Sequence, residues 1–151
     1  MAVRPIRVVP DPVLRETCAP VTAFDPALSD LAQDMLDTMY AAPGRGLAAP
    51  QVGVLARVFV MDATWKSGDP TPIVFVNPVI ETVADRMATM DEGCLSIPDQ
   101  LVSVTRPDGV ALRWQDVTGR SCSGAFSGFA AACVQHEIDH LNGVLITDDR
   151  P

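Results

Sequence analysis

The sequence has no run of lysine or arginine residues and no apolar stretch that approaches the length of a transmembrane helix. Its 151 residues carry a formal net charge of −8, and the isoelectric point is near 4.5. Contact with nucleic-acid phosphates requires a basic surface, and a membrane span requires about 20 apolar residues. We therefore expect neither a nucleic acid nor a membrane among the partners of this protein.

Neither a secretory signal nor a disulfide framework is expected from the sequence. Residues 1–5 contain no apolar signal-peptide core, and the cysteines form no Cys-x-x-Cys pair. In such a chain, irregularly spaced cysteines are predicted to be free thiols or metal ligands, and the cytoplasm is the expected location. The four cysteines are Cys18, Cys94, Cys122 and Cys133.

Repeats, low-complexity segments and an internal domain boundary are also absent. Apolar residues make up 48% of the chain and charged residues 20%, which is a globular composition. Residues 1–151 are therefore predicted to form a single domain. Within it, residues 27–40 are predicted to form an amphipathic helix, because apolar side chains recur at helical spacing. These side chains are Leu28, Leu31, Met35, Leu36 and Met39.

Short runs of β-branched and aromatic residues predict strands. Residues 56–62 and 72–78 are two such runs, and the turn-rich residues 65–70 between them predict a hairpin. Further strands are expected at residues 79–83, 101–105 and 109–114. Residues 116–120 then predict a turn that leads into a partner strand.

Histidine is scarce, and its placement is informative. The only two histidines, His136 and His140, are four residues apart, and Glu137 follows the first. Residues 129–134 are small, apolar and mostly good helix formers, so a helix is predicted here, with both imidazoles on one face. Two imidazoles so placed can hold a metal ion beside Glu137 as a base, although such a short pattern also occurs in ordinary core or surface histidines.

A third ligand is needed to complete a metal site, and two cysteines are candidates. A lone cysteine is most often a small buried hydrophobe. Cys133 precedes His136 by three residues, so on a helix it shares the same face and can line a pocket instead. Cys94 lies in a separate segment that can approach the helix from another direction. We therefore favour Cys94, which would leave one metal position open for water.

Residues 42–53 are predicted to form an apolar loop that lines a ligand site. Three glycines and two prolines in twelve residues are incompatible with a regular helix or a central strand. Glycine permits close approach of the backbone to a ligand. Gln51 is the single amide in this loop. It can either satisfy buried backbone groups or direct a donor at a substrate oxygen, and the sequence alone favours neither.

Three segments resemble the signature motifs of the peptide deformylase family. They are residues 44–53 (GRGLAAPQVG), 92–96 (EGCLS) and 135–140 (QHEIDH). They occur in the family's order and with similar spacing, so the resemblance covers essentially the whole chain. It implies an α+β fold in which antiparallel sheets surround the metal-binding helix. It also implies removal of the formyl group from formyl-methionine at the N-terminus of newly synthesised bacterial or organellar proteins.

The resemblance implies a role for each matching residue. Cys94, His136 and His140 would hold one divalent ion, with Fe²⁺ as the native metal and Zn²⁺, Ni²⁺ or Co²⁺ as substitutes. A metal-bound water would attack the formyl carbon, because the ion lowers the pKa of that water. Glu137 would act as general base and acid. Donors to the oxyanion would be the side-chain amide of Gln51 and the backbone N–H of Leu95.

The resemblance also implies where the substrate lies. A formyl-methionyl peptide or nascent chain would pair as an added strand with residues 44–46, which are Gly44, Arg45 and Gly46. By position, the candidates for the methionine pocket are Met90, Phe129, Ala132 and Cys133.

Three features depart from the family's usual pattern. Arg45 stands where Val or Ile is usual, which places a cation beside the expected substrate strand. Leu101 stands where many members carry an arginine. Many members also end in a basic helix that docks on the ribosome, whereas residues 143–151 are short and acidic. The expectation is a domain without a long C-terminal helix, for which ribosome contact is an open question.

Overall fold

The structure is a computed structural model that describes residues 2–148. Two α-helices accompany a five-stranded and a two-stranded antiparallel sheet, which confirms the predicted α+β class. The elements are β1 (Gly46–Ala48), β2 (Val58–Met61), β3 (Ile73–Val83), β4 (Met87–Cys94), β5 (Ile97–Pro107), β6 (Gly109–Gln115), β7 (Ser121–Ser127), α1 (Pro26–Ala41) and α2 (Gly128–Leu141). Residues 149–151 of the acidic C-terminal segment lie outside the described part.

The larger sheet has the order β1-β2-β3-β6-β7, and β4 pairs only with β5. The predicted hairpin is present, since β2 and β3 pair from Val58 with Val76 to Met61 with Ile73. Residues 79–83 are not a separate strand, because β3 continues through them. The register shifts between Val76 and Val79, where Pro78 lacks an N–H and Asn77 has a φ of 51°. This irregularity accommodates the proline. It also lies where β3 stops pairing with β2 and continues its pairing with β6.

Helix α1 forms where the sequence predicted it. The Asp25 side chain accepts a hydrogen bond of 3.1 Å from the Leu28 N–H, and Pro26 occupies the first helical position. Buried Met35 and Met39 on α1 pack with Val58 and Val60 of β2. Within residues 2–148, neither helix is long and apolar enough to cross a membrane.

Helix α2 packs against the opposite face of the larger sheet. Val134 and Ile138 lie in one cluster with Phe59, Phe75 and Trp114, in which the two phenylalanine rings stack at 4.3 Å. Strand β2 is therefore covered on both faces, which explains why every one of its residues is apolar and buried. The packing of α2 into this core fixes the direction in which its histidines point.

Gly143 ends α2 in the left-handed conformation, with a φ of +73°. Its N–H donates to His140 O, and the N–H of Val144 donates to Asp139 O, as in a glycine-terminated helix end. A Cβ at this position would also collide with the backbone carbonyl of Arg15. The end of the helix that carries His140 therefore requires glycine.

We predict that Gly143→Ala lowers the free energy of unfolding by at least about 1–2 kcal/mol, the cost of a left-handed conformation for a residue with a side chain. The matched control is Gly68→Ala in the exposed β2–β3 connection, where a Cβ would meet only Thr64 O at 3.9 Å. Its unfolding free energy should change by less than about 0.5 kcal/mol. Urea denaturation measures both variants, and equal effects would contradict this account of the helix end.

Candidate functional site

The three predicted metal ligands lie together in the structure. His136 and His140 are on one face of α2 with ring centroids 5.0 Å apart, and Cys94 is the last residue of β4. Their candidate ligand atoms all lie within 4.8 Å of one another, and all three residues are buried. The rival Cys133 is not part of this cluster, and its thiol faces the Arg45 carbonyl oxygen at 3.9 Å.

The β4–β5 hairpin brings Cys94 to the helix. Cys94 pairs with Ile97 across the turn, and both are buried with Leu145 and Ile146, which follow α2. Apolar packing thus attaches the hairpin to the segment beyond the histidines. The result is a distance of 3.3 Å between Cys94 Sγ and His140 Nε2.

A buried ion network orients His136. Its Nδ1 lies 3.1 Å from Glu92 Oε1, and Arg106 donates to both carboxylate oxygens of Glu92 at 2.7 and 3.0 Å. Burial opposes the charge on Glu92, but the hydrogen bonds from His136 and Arg106 lower its pKa to about 2. A charged carboxylate can only accept, so the Nδ1–H of His136 donates to it. The Nε2 lone pair is thereby left for the cluster.

Sequence reasoning missed this network. Arg106 is only 5% exposed and also donates to Asp139 Oδ2 at 2.9 Å. A weak signal was available in the alternation of β5, where Arg106 follows Val102 and Val104 at the inward-facing positions. Glu92 lies in the 92–96 motif, but the motif alone does not indicate its hydrogen bonds with His136 and Arg106.

Glu137 lies at the centre of the site and is 4% exposed. Its Oε1 has no hydrogen-bond partner among residues 2–148, and the same is true of His140 Nδ1. Burial raises the pKa of Glu137 to about 7. A carboxyl group of this kind can both accept and release a proton near neutral pH.

Gln51 fills the first of the two roles that its sequence context left open, because it satisfies a buried backbone group. Its Oε1 accepts a hydrogen bond of 2.9 Å from the buried Ala48 N–H. Its Nε2 donates to Ser96 Oγ at 3.0 Å and lies 3.8 Å from Cys94 Sγ. The carbonyl half therefore supports the backbone, while the amide half faces the cluster.

A cavity of about 780 Å³ opens onto this cluster. The predicted catalytic and substrate residues, together with Cys94 and His136, line it; His140 is buried and is not among the lining residues. Leu95 approaches the glycine-rich segment across the cavity, because a Cβ on Gly44 would lie 2.9 Å from Leu95 Cδ1. The lining residues predicted from the sequence are Gly44, Arg45, Gly46, Gln51, Met90, Cys94, Leu95, Phe129, Ala132, Cys133, His136 and Glu137.

Strand β1 presents a backbone edge to the cavity. Asp62 N–H donates to Arg45 O at 2.8 Å, which makes Gly46 and Met61 a pair without mutual hydrogen bonds. The N–H and C=O of Gly46 therefore point away from β2. A Cβ on Gly46 would lie 2.7 Å from Glu137 Oε2 and 2.8 Å from Cys133 Sγ, so only glycine fits.

We predict that Glu92→Gln weakens divalent-ion binding about 10- to 100-fold, because the amide no longer supplies a negative charge to His136. Competition with a chromophoric chelator measures the affinity, and circular dichroism checks that the variant is folded. Glu81→Gln is the matched control, because Glu81 forms an exposed pair with Arg113 on β3 and β6. Equal affinities of Glu92→Gln and the unmodified protein would contradict the orienting role of Glu92.

Comparison with known proteins identifies relatives of this chain in both sequence and structure. A sequence profile described as polypeptide deformylase matches residues 3–151. A peptide deformylase of Brucella suis is 50% identical over 149 residues, covering 98% of this chain and 85% of the relative. The crystal structure of peptide deformylase from Thermotoga maritima superposes with a TM-score of 0.93 at 40% identity, covering 100% of this chain and 99% of that one. The chain therefore belongs to the polypeptide deformylase family of metalloenzymes.

Proposed function

We propose that this enzyme is a metal-dependent peptide deformylase that hydrolyses the N-formyl group of formyl-methionine on newly synthesised proteins. The observation that carries the proposal is the Glu137 carboxyl group. It is buried, has an oxygen without a partner within residues 2–148, and lies beside both the Cys–His–His cluster and the β1 backbone edge. A purely structural metal site needs ligands but no such base. Membership of the deformylase family supports the same activity.

The residues of the cluster suit a divalent transition metal. One thiolate and two imidazoles converge within 4.8 Å, and three protein ligands leave a position open, as catalytic sites do. We propose Fe²⁺ as the native ion, while Zn²⁺, Ni²⁺ and Co²⁺ fit the same donors. When bound, the ion supplies a Lewis acid for the formyl group and lowers the pKa of water in the site.

The substrate main chain would bind along β1 as an added strand. The N–H and C=O of Gly46 point into the cavity and offer it one donor and one acceptor. The methionine side chain would enter the part of the cavity lined by Met90, Phe129, Ala132 and Cys133. These apolar walls match a thioether side chain, which has no strong hydrogen-bonding group.

Proton transfer is assigned to Glu137. Its carboxylate takes a proton from the attacking water as the bond to the formyl carbon forms, and it later donates that proton to the departing amine. The products are formate and a peptide with a free amino group. The developing oxyanion would accept hydrogen bonds from Gln51 Nε2 and from the Leu95 N–H, which lie next to Cys94 in the same cavity.

The proposed substrate implies where and when the enzyme acts. Formyl-methionine is present on proteins as they are synthesised, so we propose action in the cytoplasm during translation and N-terminal methionine processing. Formyl-methionyl peptides or nascent chains are the proposed partners.

We predict that iron-loaded protein, purified without oxygen, deformylates formyl-Met-Ala-Ser and that Glu137→Gln loses about 10²- to 10⁴-fold in kcat. Metal content, measured in parallel, should stay at one ion per chain, because Glu137 is not one of the three ligands. Removal of the ion with a chelator should abolish turnover, and adding Fe²⁺ back should restore it. Absence of turnover in the metal-loaded, folded protein would contradict the proposed function.

We predict that Gly46→Ala also strongly reduces kcat/KM for this peptide. The added methyl group must displace the Glu137 carboxylate and the Cys133 thiol, both of which lie less than 3 Å from its position. Gly109→Ala is the matched control, since its nearest contact is the Ala84 Cβ at 3.4 Å, outside the cavity. Equal activities of the two variants would show that β1 can move away from Glu137 without loss of function.

A further inference from the structure

We infer that Arg45 is a specificity-determining residue that favours peptides with a carboxylate at the third residue or at a free C-terminus close behind the methionine. This inference rests on the proposed deformylase function and deepens it. The recognising chemistry is the same for both sources of the carboxylate, namely a guanidinium facing an anionic oxygen pair.

Arg45 and Lys66 differ from most other cations of this acidic chain. Within residues 2–148, no carboxylate lies within ion-pair distance of either side chain, although both line the cavity. Six arginines outside the cavity lining do have carboxylate partners: Arg4, Arg7, Arg15, Arg86, Arg106 and Arg113. The cavity thus holds two cations whose charge is available to a ligand.

The guanidinium of Arg45 is held in a defined place. It lies over the Phe129 ring, 5.0 Å from the centroid, at the start of α2. The backbone that carries it is also held, since Trp65 Nε1 donates to Gly44 O at 2.9 Å and Lys66 Nζ donates to Pro43 O at 3.0 Å. A cation whose side chain and backbone are already restrained loses less conformational entropy when it binds an anion.

The direction of the bound peptide places its third residue near Arg45. Glu137 lies beside Gly46, so the formyl end of the peptide must be there. Beyond Gly46 in one direction are Leu47 and Ala48, which are fully buried. The peptide must therefore extend in the other direction, past Arg45 and toward Pro43.

The alternation of side chains along an extended peptide determines which substrate residue lies near Arg45. Side chains of residues one and three project to the same face, and residue two projects to the other. Because the first side chain enters the pocket beside Phe129, the third lies on the face that carries the Arg45–Phe129 pair. The carboxylates Asp91 and Asp99 also line the cavity, and residue two projects away from the Arg45–Phe129 pair, so an acidic second residue should gain nothing.

Three matched peptide pairs test the inference on the iron-loaded enzyme. Formyl-Met-Ala-Asp-amide is compared with its Asn analogue, and formyl-Met-Asp-Ala-amide with its Asn analogue. Formyl-Met-Ala-Ser with a free carboxylate is compared with its amide, which separates a terminal carboxylate from a side-chain one. The first and third pairs should show about a two- to fivefold higher kcat/KM for the anionic peptide, the range of a partly exposed ion pair. The second pair should show a ratio near one.

Substitutions then assign the preference to Arg45. Arg45→Gln should bring the first and third ratios to near one, and Arg45→Lys should retain most of each preference. Arg120→Gln removes an exposed cation outside the cavity and should leave every ratio unchanged. Raising the salt concentration to about 0.5 M should weaken the preference, because exposed charges are then screened over a few ångströms.

These experiments distinguish a failure of the proposed role of Arg45 from a failure of the proposed deformylase function. Turnover of all the peptides with ratios that Arg45→Gln does not change would overturn the role of Arg45 and leave the deformylase function intact. Absence of any turnover would overturn the proposed function instead. In that case, calorimetric binding of the same peptide pairs to the metal-loaded Glu137→Gln variant decides about Arg45, and equal affinities within each pair would overturn its role.

Discussion

The buried carboxylate of Glu92 connects the two parts of the site. Through its hydrogen bonds with His136 and Arg106 it joins α2 to the β4–β5 hairpin. Arg106 also donates a hydrogen bond to Asp139, which lies on α2. Such a network gains little net free energy, because desolvation of the charges offsets most of their attraction. Breaking it is costly all the same, since one unpaired charge would stay buried. Its main consequence is geometric, because it holds the ring of His136 and the strand that ends in Cys94 in one fixed relation.

The site that this network supports contains unfavourable features of its own. Glu137 Oε1 and His140 Nδ1 are buried without partners among residues 2–148, and each such group costs about 1–3 kcal/mol. The stability must come from elsewhere, namely from apolar cores on both faces of β2. The raised pKa of Glu137 arises from the same burial. A carboxyl group that is poorly solvated in the folded state is therefore ready for proton transfer.

Local features of the sequence predicted much of this arrangement. The spacing of His136 and His140, the Asp25 cap and the β2–β3 hairpin all depend on residues that are close together in the chain. The pairing of β3 with β6 was not predictable in this way, because antiparallel partners far apart leave no local signal. The continuity of β3 through Pro78 was missed since proline ordinarily interrupts a strand, and only the bulge makes it acceptable.

For the residues of the functional site, too, the sequence predicted some features and not others. Cys94 was favoured as third ligand because a separate segment can complete a site that one helix cannot, and the structure brings it to the histidines. Arg106 was missed, because an arginine between polar and apolar residues of a strand resembles a solvated charge. Only the three-dimensional arrangement shows that two carboxylates from different elements surround it.

In the proposed function, the edge strand β1 would link substrate binding to proton transfer through a single glycine. A strand edge with free N–H and C=O groups is ordinarily a liability, which proteins limit by keeping the edge short or covered. Here the edge has only three residues and faces a cavity. Gly46 would offer its backbone groups to a peptide on this edge, and the absence of its side chain lets Glu137 approach. A peptide bound to Gly46 as proposed would therefore lie against Glu137, because the residue that binds it is also the one that lets the carboxylate approach.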